Sequence, residues 1–183
     1  MTAKRDATDD EARALASSLR MRILRVCLSE PRTNKEIATV LGRDPATTLH
    51  HVRLLTRTGF LAAQDPRRGA RGAKEIPYLA TRKSWSLKAP AHNGVLVEAF
   101  LEEVALAPAE EVQTARLGVR LNAHNRERLQ ARVDAFLNEL ATLPEDPDGE
   151  AWSIFWAFHP DPNRRADPTS EVSGPVADGL EER

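Results

Sequence analysis

The sequence predicts a mainly α-helical chain with a small β component (α+β). Three observations predict it. Residues 33–59 read as two capped helices meeting at a tight corner, residues 60–81 read as a β-hairpin with a basic tip, and residues 115–159 read as a strand, a helix and a strand.

The N-terminal residues 1–8 are expected to form a disordered tail. Thr8 with Glu11 offers a capping box, in which each side chain bonds the other's backbone amide. The helix it opens is expected to run to about Leu28, with Leu15, Leu19, Ile23 and Val26 on one stripe. Pro31 forces a break. Thr33 and Glu36 then repeat the capping box, Ile37, Ala38 and Leu41 give an apolar face, and Gly42 supplies the left-handed residue that ends the helix. Asp44 followed by Pro45 is a restart signal, a side-chain cap and then proline at the first helical position.

In the helix 45–58, Leu49, Val52 and Leu55 fall along one side, with Thr48 and Thr56 beside them. The opposite side carries Ala46, Thr47, His50, Arg53 and Arg57, which are small or polar. A helix anchored on one side, with small residues at its start and basic groups along the other, suits a DNA major groove. Gly59 stops it. FLAAQ then reads as a strand, DPRRGARGAK as a glycine-interrupted basic loop, and EIPYLAT as a returning strand. Together these segments predict a winged helix-turn-helix over residues 9–90. Arg43, Arg67, Arg68, Arg71 and Lys74 are expected to hold phosphates, and Thr47, His50, His51 and Arg53 to lie near base edges or flanking phosphates.

Residues 81–90 read as a connector containing Trp85. From 93 to 107 a helix carries Val95, Leu96, Val97, Ala99, Phe100, Leu101, Val104 and Leu106, with Glu98, Glu102 and Glu103 on a narrow polar arc. So broad an apolar surface needs more than one neighbour, and a dimer interface is the expected one. In ARLGVRL, residues Ala115, Leu117, Val119 and Leu121 alternate with Arg116 and Arg120, the pattern of a half-buried strand. Asn122 can cap a helix from Ala123 to about Leu143, with Leu129, Val133, Phe136, Leu137 and Leu140 on its stripe. AWSIFWAFH reads as an apolar strand with Trp152, Ile154, Trp156 and Phe158 on one face. Two strands are too few to stand alone, so residues 91–160 are expected to dimerise. If Trp152, Trp156 and Phe158 line a cavity instead of packing on the helix, an apolar small molecule is the expected effector. Residues 161–183, rich in Pro, Asp, Glu and Gly, are expected to be disordered.

Across 183 residues the formal net charge is −1, which says nothing of a partner. Its distribution does: residues 43–83 hold nine basic residues against three acidic, and residues 98–150 hold twelve acidic against five basic. A basic part suited to a polyanion is thus set apart from an acidic one. The single Cys27 excludes an internal disulfide and fits a reducing cytoplasm. No segment reaches the length of a membrane helix, and the charged N-terminus is unlike a signal peptide. No glycine-rich phosphate loop, His-Glu-x-x-His pattern or Gly-x-Ser-x-Gly elbow is present, so no enzyme, cofactor or metal is expected. EDPDG has only two of the acidic ligands of a calcium loop and lacks the closing glutamate.

The order of TNKEIATVLG, RDPATTLHHVRLL, TGFL, a basic glycine wing and IPYLAT resembles the winged helix-turn-helix of ArsR-type bacterial transcriptional regulators, as does the LRMRIL segment before it. The resemblance covers about residues 12–85. It implies a homodimeric DNA-binding repressor or activator, with 45–58 as recognition helix and His51 at the position of the family's common recognition-helix histidine. The chain departs from the metal-sensing members. Its recognition helix has no cysteine, and His50 and His51, being adjacent, point about 100° apart. The expected function is a sequence-specific transcriptional repressor acting as a homodimer on a palindromic operator, with the 65–74 wing on phosphates. The alternatives are a metal- or small-molecule-responsive sensor of the same fold, or a protein-interaction module without DNA binding.

Overall fold

The computed structural model describes residues 4–69, 72–88, 93–144, 146, 148–162 and 164. Its contacts divide the chain into two units, residues 1–113 and 114–183. The first contains α1 (Asp9–Leu15), α2 (Ser18–Val26), β1 (Arg32–Thr33), α3 (Asn34–Val40), α4 (Pro45–Arg57), β2 (Leu61–Ala63), β3 (Arg67–Arg68), β4 (Lys74–Glu75), β5 (Pro77–Ala80) and α5 (Asn93–Val104), with a 3-10 turn at Lys83–Ser86. The second contains α6 (Ala123–Thr142).

Both capping boxes form, at Thr8 with Glu11 and at Thr33 with Glu36. The long first helix does not. It breaks at Ala16, because the Ser17 hydroxyl accepts the Arg20 amide and restarts the chain as α2. Arg20 then reaches back, donating to the Ala14 carbonyl at 2.6 Å and to the Arg13 carbonyl at 2.8 Å. The carbonyls that end α1 are satisfied by this side chain, so the break leaves no polar group stranded. It also lets Ala14 and Leu15 enter the same core as Ile23 and Leu24.

Two antiparallel sheets follow. One has the order β1-β5-β2, with Arg32 opposite Tyr78 and Leu61 opposite Ala80, and the other pairs β3 with β4. The expected hairpin is present, and β1 adds a third strand that periodicity did not announce. Ile23, Ile37, Val52, Leu55, Phe60 and Leu61 are fully enclosed between helices and sheet. Cys27 is buried with them, and burial pushes its thiol up to about 12. Such a thiol stays protonated and inert.

α5 packs on α2 through its acids. Arg22 meets Glu102 at 2.7 Å, Ser18 donates to Glu102 at 3.3 Å, and Arg25 lies 3.6 Å from Glu103. Glu102 and Glu103, expected on a narrow polar arc, grip the neighbouring helix, while Val97 and Leu101 stand exposed. Arg5, in the segment expected as a tail, is held too: its amide donates to the Ser86 carbonyl and its carbonyl accepts the Lys88 amide.

In the second unit the Asn122 cap and the helix it opens are as expected, with Asn125 N–H donating to Asn122 Oδ1 at 2.8 Å. The two flanking strands are not: among the described residues, 113–122 and 149–161 carry no regular secondary structure. A strand exists only through its ladder, and neither segment has one here. The expected disordered tail, 161–183, lies outside the described residues except for Asp161, Pro162 and Arg164.

Candidate nucleic-acid interface

α4 is built to present one side. Asp44 Oδ1 accepts the amides of Ala46 and Thr47 at 2.9 and 3.0 Å, and Pro45 occupies the first turn, where no amide is needed. Gly42 has φ +60° and Gly59 φ +77°, so the turns before and after α4 both use conformations that favour glycine. Val52 and Leu55 are buried, and so is Thr48, whose hydroxyl is satisfied by donating to the Asp44 carbonyl at 2.9 Å. Pro45, Ala46, Thr47, His50, Arg53 and Arg57 are exposed together. The sequence placed Arg57 on this polar side without counting it as a contact; its spacing of four from Arg53 brings the two to one face.

His51 lies apart from that group. It is half-buried, its Nδ1 3.4 Å from a guanidinium nitrogen of Arg20 and its ring edge-on to His50 at 5.7 Å. Arg can only donate, so this contact suits a neutral imidazole whose Nδ1 accepts and whose proton sits on Nε2. Burial first, then the positive charge of Arg20, hold the His51 pKa below the ordinary value. No spacing rule identifies Arg20 as its neighbour, since the contact crosses from α2 to α4.

The wing stands beside α4 in sequence and is braced at its base. Arg67 pairs with Glu36, the same carboxylate that caps α3, so one acid joins wing and helix. The Thr33 amide is the main cause of the depressed Glu36 pKa, and Arg67 adds to it. Arg68 and Lys74 face each other across the β3–β4 pair. Both are exposed, as is Arg43, and Arg71 lies outside the described residues. Among the described residues no carboxylate pairs with Arg43, Arg53, Arg57, Arg68 or Lys74. Unpaired cations on an exposed face attract polyanions without first having to break an internal bond.

The far end of α4 is held by a charged cluster that no motif predicted. Lys83 Nζ donates to the Thr58 carbonyl at 2.6 Å and lies 2.7 Å from Glu11, which also takes both guanidinium arms of Arg5 at 2.8 and 2.6 Å. Arg5 first, then Lys83, hold the Glu11 carboxyl far below the usual carboxylate range. The N-terminal segment, α1 and the end of α4 thus share one buried acid.

Residues 15–63 match the family model of a helix-turn-helix domain. The domain is a winged helix-turn-helix. Among curated proteins none matches the chain. Among solved structures, the homodimeric winged helix-turn-helix DNA-binding domain of Mb0332 from Mycobacterium bovis, described as a possible ArsR-family transcriptional regulator, is similar at 21% identity and TM-score 0.33, over 57% of this chain and 82% of that one. The transcriptional regulator SlyA is similar at 18% identity and TM-score 0.32, over 67% and 74%. MepR of Staphylococcus aureus, in a complex with DNA, is similar at 18% identity and TM-score 0.26, over 73% and 80%.

Trp152, Trp156 and Phe158 are 69%, 50% and 38% exposed on a segment without regular structure. Among the described residues no three His, Cys, Asp or Glu side chains gather as metal ligands, and no helix is long and apolar enough to cross a membrane.

Proposed function

We propose that this chain is a sequence-specific DNA-binding transcriptional regulator of the ArsR type, a cytoplasmic repressor that binds a palindromic operator as a homodimer. α4 enters the major groove and the wing lies on the flanking phosphates. The observation that carries this reading is the division of α4 into two sides. Val52 and Leu55 are closed into the core, while Ala46, Thr47, His50, Arg53 and Arg57 face out with no carboxylate partner among the described residues. Ala46 and Thr47 sit at the start of the helix, where small side chains permit close contact. Arg53 is placed to read a base edge, His50 to meet base or phosphate, and Arg43, Arg68 and Lys74 to hold the backbone.

The test is binding and footprinting on the DNA upstream of the protein's own gene, with affinity followed by fluorescence anisotropy at rising salt. A palindromic footprint with half-sites about 34 Å apart is expected. Arg68→Ala should weaken binding to every sequence and reduce the salt slope by about one, whereas Arg53→Ala should cost about 1–3 kcal/mol and relax specificity at one position. Absence of salt-dependent DNA binding would remove the reading and leave a protein-interaction module.

A further inference from the structure

Arg20 does more than close the end of α1. Its Nε donates to the Ala14 carbonyl at 2.6 Å and one terminal nitrogen to the Arg13 carbonyl at 2.8 Å. A guanidinium is planar and rigid, so two bonds to backbone carbonyls also fix the direction of its third nitrogen. That nitrogen is the one 3.4 Å from His51 Nδ1. The contact is aimed from α2 by a held group, not struck by a loose surface chain.

His51 stands at the margin of the outward side of α4. It follows exposed Thr47 by four residues, precedes buried Leu55 by four, and is itself half-buried. Its other ring nitrogen, Nε2, has no partner among the described residues, yet it is not one of the buried polar atoms left without one. Nε2 is therefore open to solvent. With Nδ1 accepting from Arg20, Nε2 carries the ring's single proton, so the group turned outward is a donor without charge. Burial first, then Arg20 from α2 and His50 beside it on α4, disfavour a second proton.

A helix in the major groove turns its central line to the base edges and its margins to the groove walls, which are sugar and phosphate. Ala46, His50, Arg53 and Arg57 form that central line, at spacings of three and four. His51 lies to one side of it, toward α2. A donor there meets phosphate oxygens, which only accept.

We propose that Arg20 is a positioning residue for DNA recognition, holding His51 so that its Nε2–H donates, uncharged, to a phosphate oxygen at the wall of the major groove. The inference rests on the DNA-binding reading above and adds two residues which that reading does not use.

The first arm of the test contains no DNA: nitrogen NMR of the His51 imidazole in the full chain at about pH 8, where the ring is neutral. Nε2 protonated and Nδ1 bare is expected, and a proton on Nδ1 would overturn the proposal. The second arm is fluorescence anisotropy on the footprinted operator and on an unrelated duplex. His51→Ala should weaken both about fivefold, the worth of one hydrogen bond. The salt slope should stay unchanged even at pH 6.5, where an ordinary imidazole is half charged. A slope lowered by about half a unit would make His51 a cation, and a loss confined to the operator would put it on a base edge. Either result overturns the proposal. At about pH 8, Arg20→Met should weaken binding about fivefold in the wild type and add nothing to His51→Ala. Arg20→Lys, which keeps the charge and loses the fork, is the milder second variant with the same expectation. An equal loss in both backgrounds would show that Arg20 acts on the fold alone. Absence of all DNA binding, with the proton on Nε2 as expected, would count against the regulator reading instead.

Discussion

The two units differ in what their polar and apolar groups meet. In residues 1–113 each α-helix start through α4 carries a side-chain cap, the helices close over Ile23, Ile37, Val52 and Leu55, and even the buried acid Glu11 is matched by two cations. In residues 114–183, α6 also starts on a side-chain cap, yet no described residue is buried. Capping is a local device and acts in both; a core requires neighbours, and among the described residues only the first unit encloses side chains fully. Stability should therefore depend on side chains very unequally in the two units.

The sharpest way to break that comparison is truncation in each unit. Leu55→Ala should cost about 3 kcal/mol in urea unfolding, since it opens a cavity among enclosed side chains. Trp156→Ala should leave the same transition unmoved, because Trp156 contributes to no core within its own chain. Equal losses would show that the two units unfold as one.

Glu11→Gln should cost about 2 kcal/mol, the worth of charge-assisted hydrogen bonds from Arg5 and Lys83. The folded carboxyl titrates far below its ordinary 4.5, so its contribution is fully present above that value and is lost as pH falls toward the depressed one. Chemical denaturation across the acid range should show the wild type losing stability faster than the variant on descent. Parallel curves would remove Glu11 as the cause.

The caps sharpen the contrast at smaller scale. Asp44→Ala should destabilise the first unit by about 1 kcal/mol in a cooperative transition. Asn122→Ala, which removes the single cap bond from the Asn125 amide, should appear instead as helicity lost from α6 by circular dichroism, with the cooperative transition unchanged.

The smallest effect is expected at His51. Its folded pKa lies below the ordinary 6.5, so the neutral imidazole stabilises the fold above that pH, and the contribution fades as pH drops beneath it. Proton NMR of the ring should give a midpoint under 6.5, rising in Arg20→Gln as the neighbouring charge is removed. A midpoint unaffected by that substitution would leave burial and the neighbouring His50 as the causes.

Most of the winged domain could be read from the chain because its signals are short-range. Thr33 with Glu36, Asp44 before Pro45, and the glycines at 42 and 59 each act within four residues, and the structure places each as the spacing implies. The outward face of α4 followed from the same periodicity. The break between α1 and α2 was missed because Ser17 interrupts a stripe that continues across it, and the side chain that makes the break tolerable, Arg20, bonds backward to α1. Lys83 was missed because it lies far along the chain from Glu11 and only the fold brings them together.

Sequence alone settled where α3, α4 and α6 begin and which side of α4 is apolar, since caps, proline, glycine and the 3.6-residue period are properties of neighbouring residues. It could not settle whether 115–121 and 151–159 become strands. A helix closes its hydrogen bonds within itself, while a strand borrows them from another segment, and whether such a segment is in reach is a fact of tertiary structure. The same holds for His51, which was expected near base edges or flanking phosphates and which the approach of α2 half-covers.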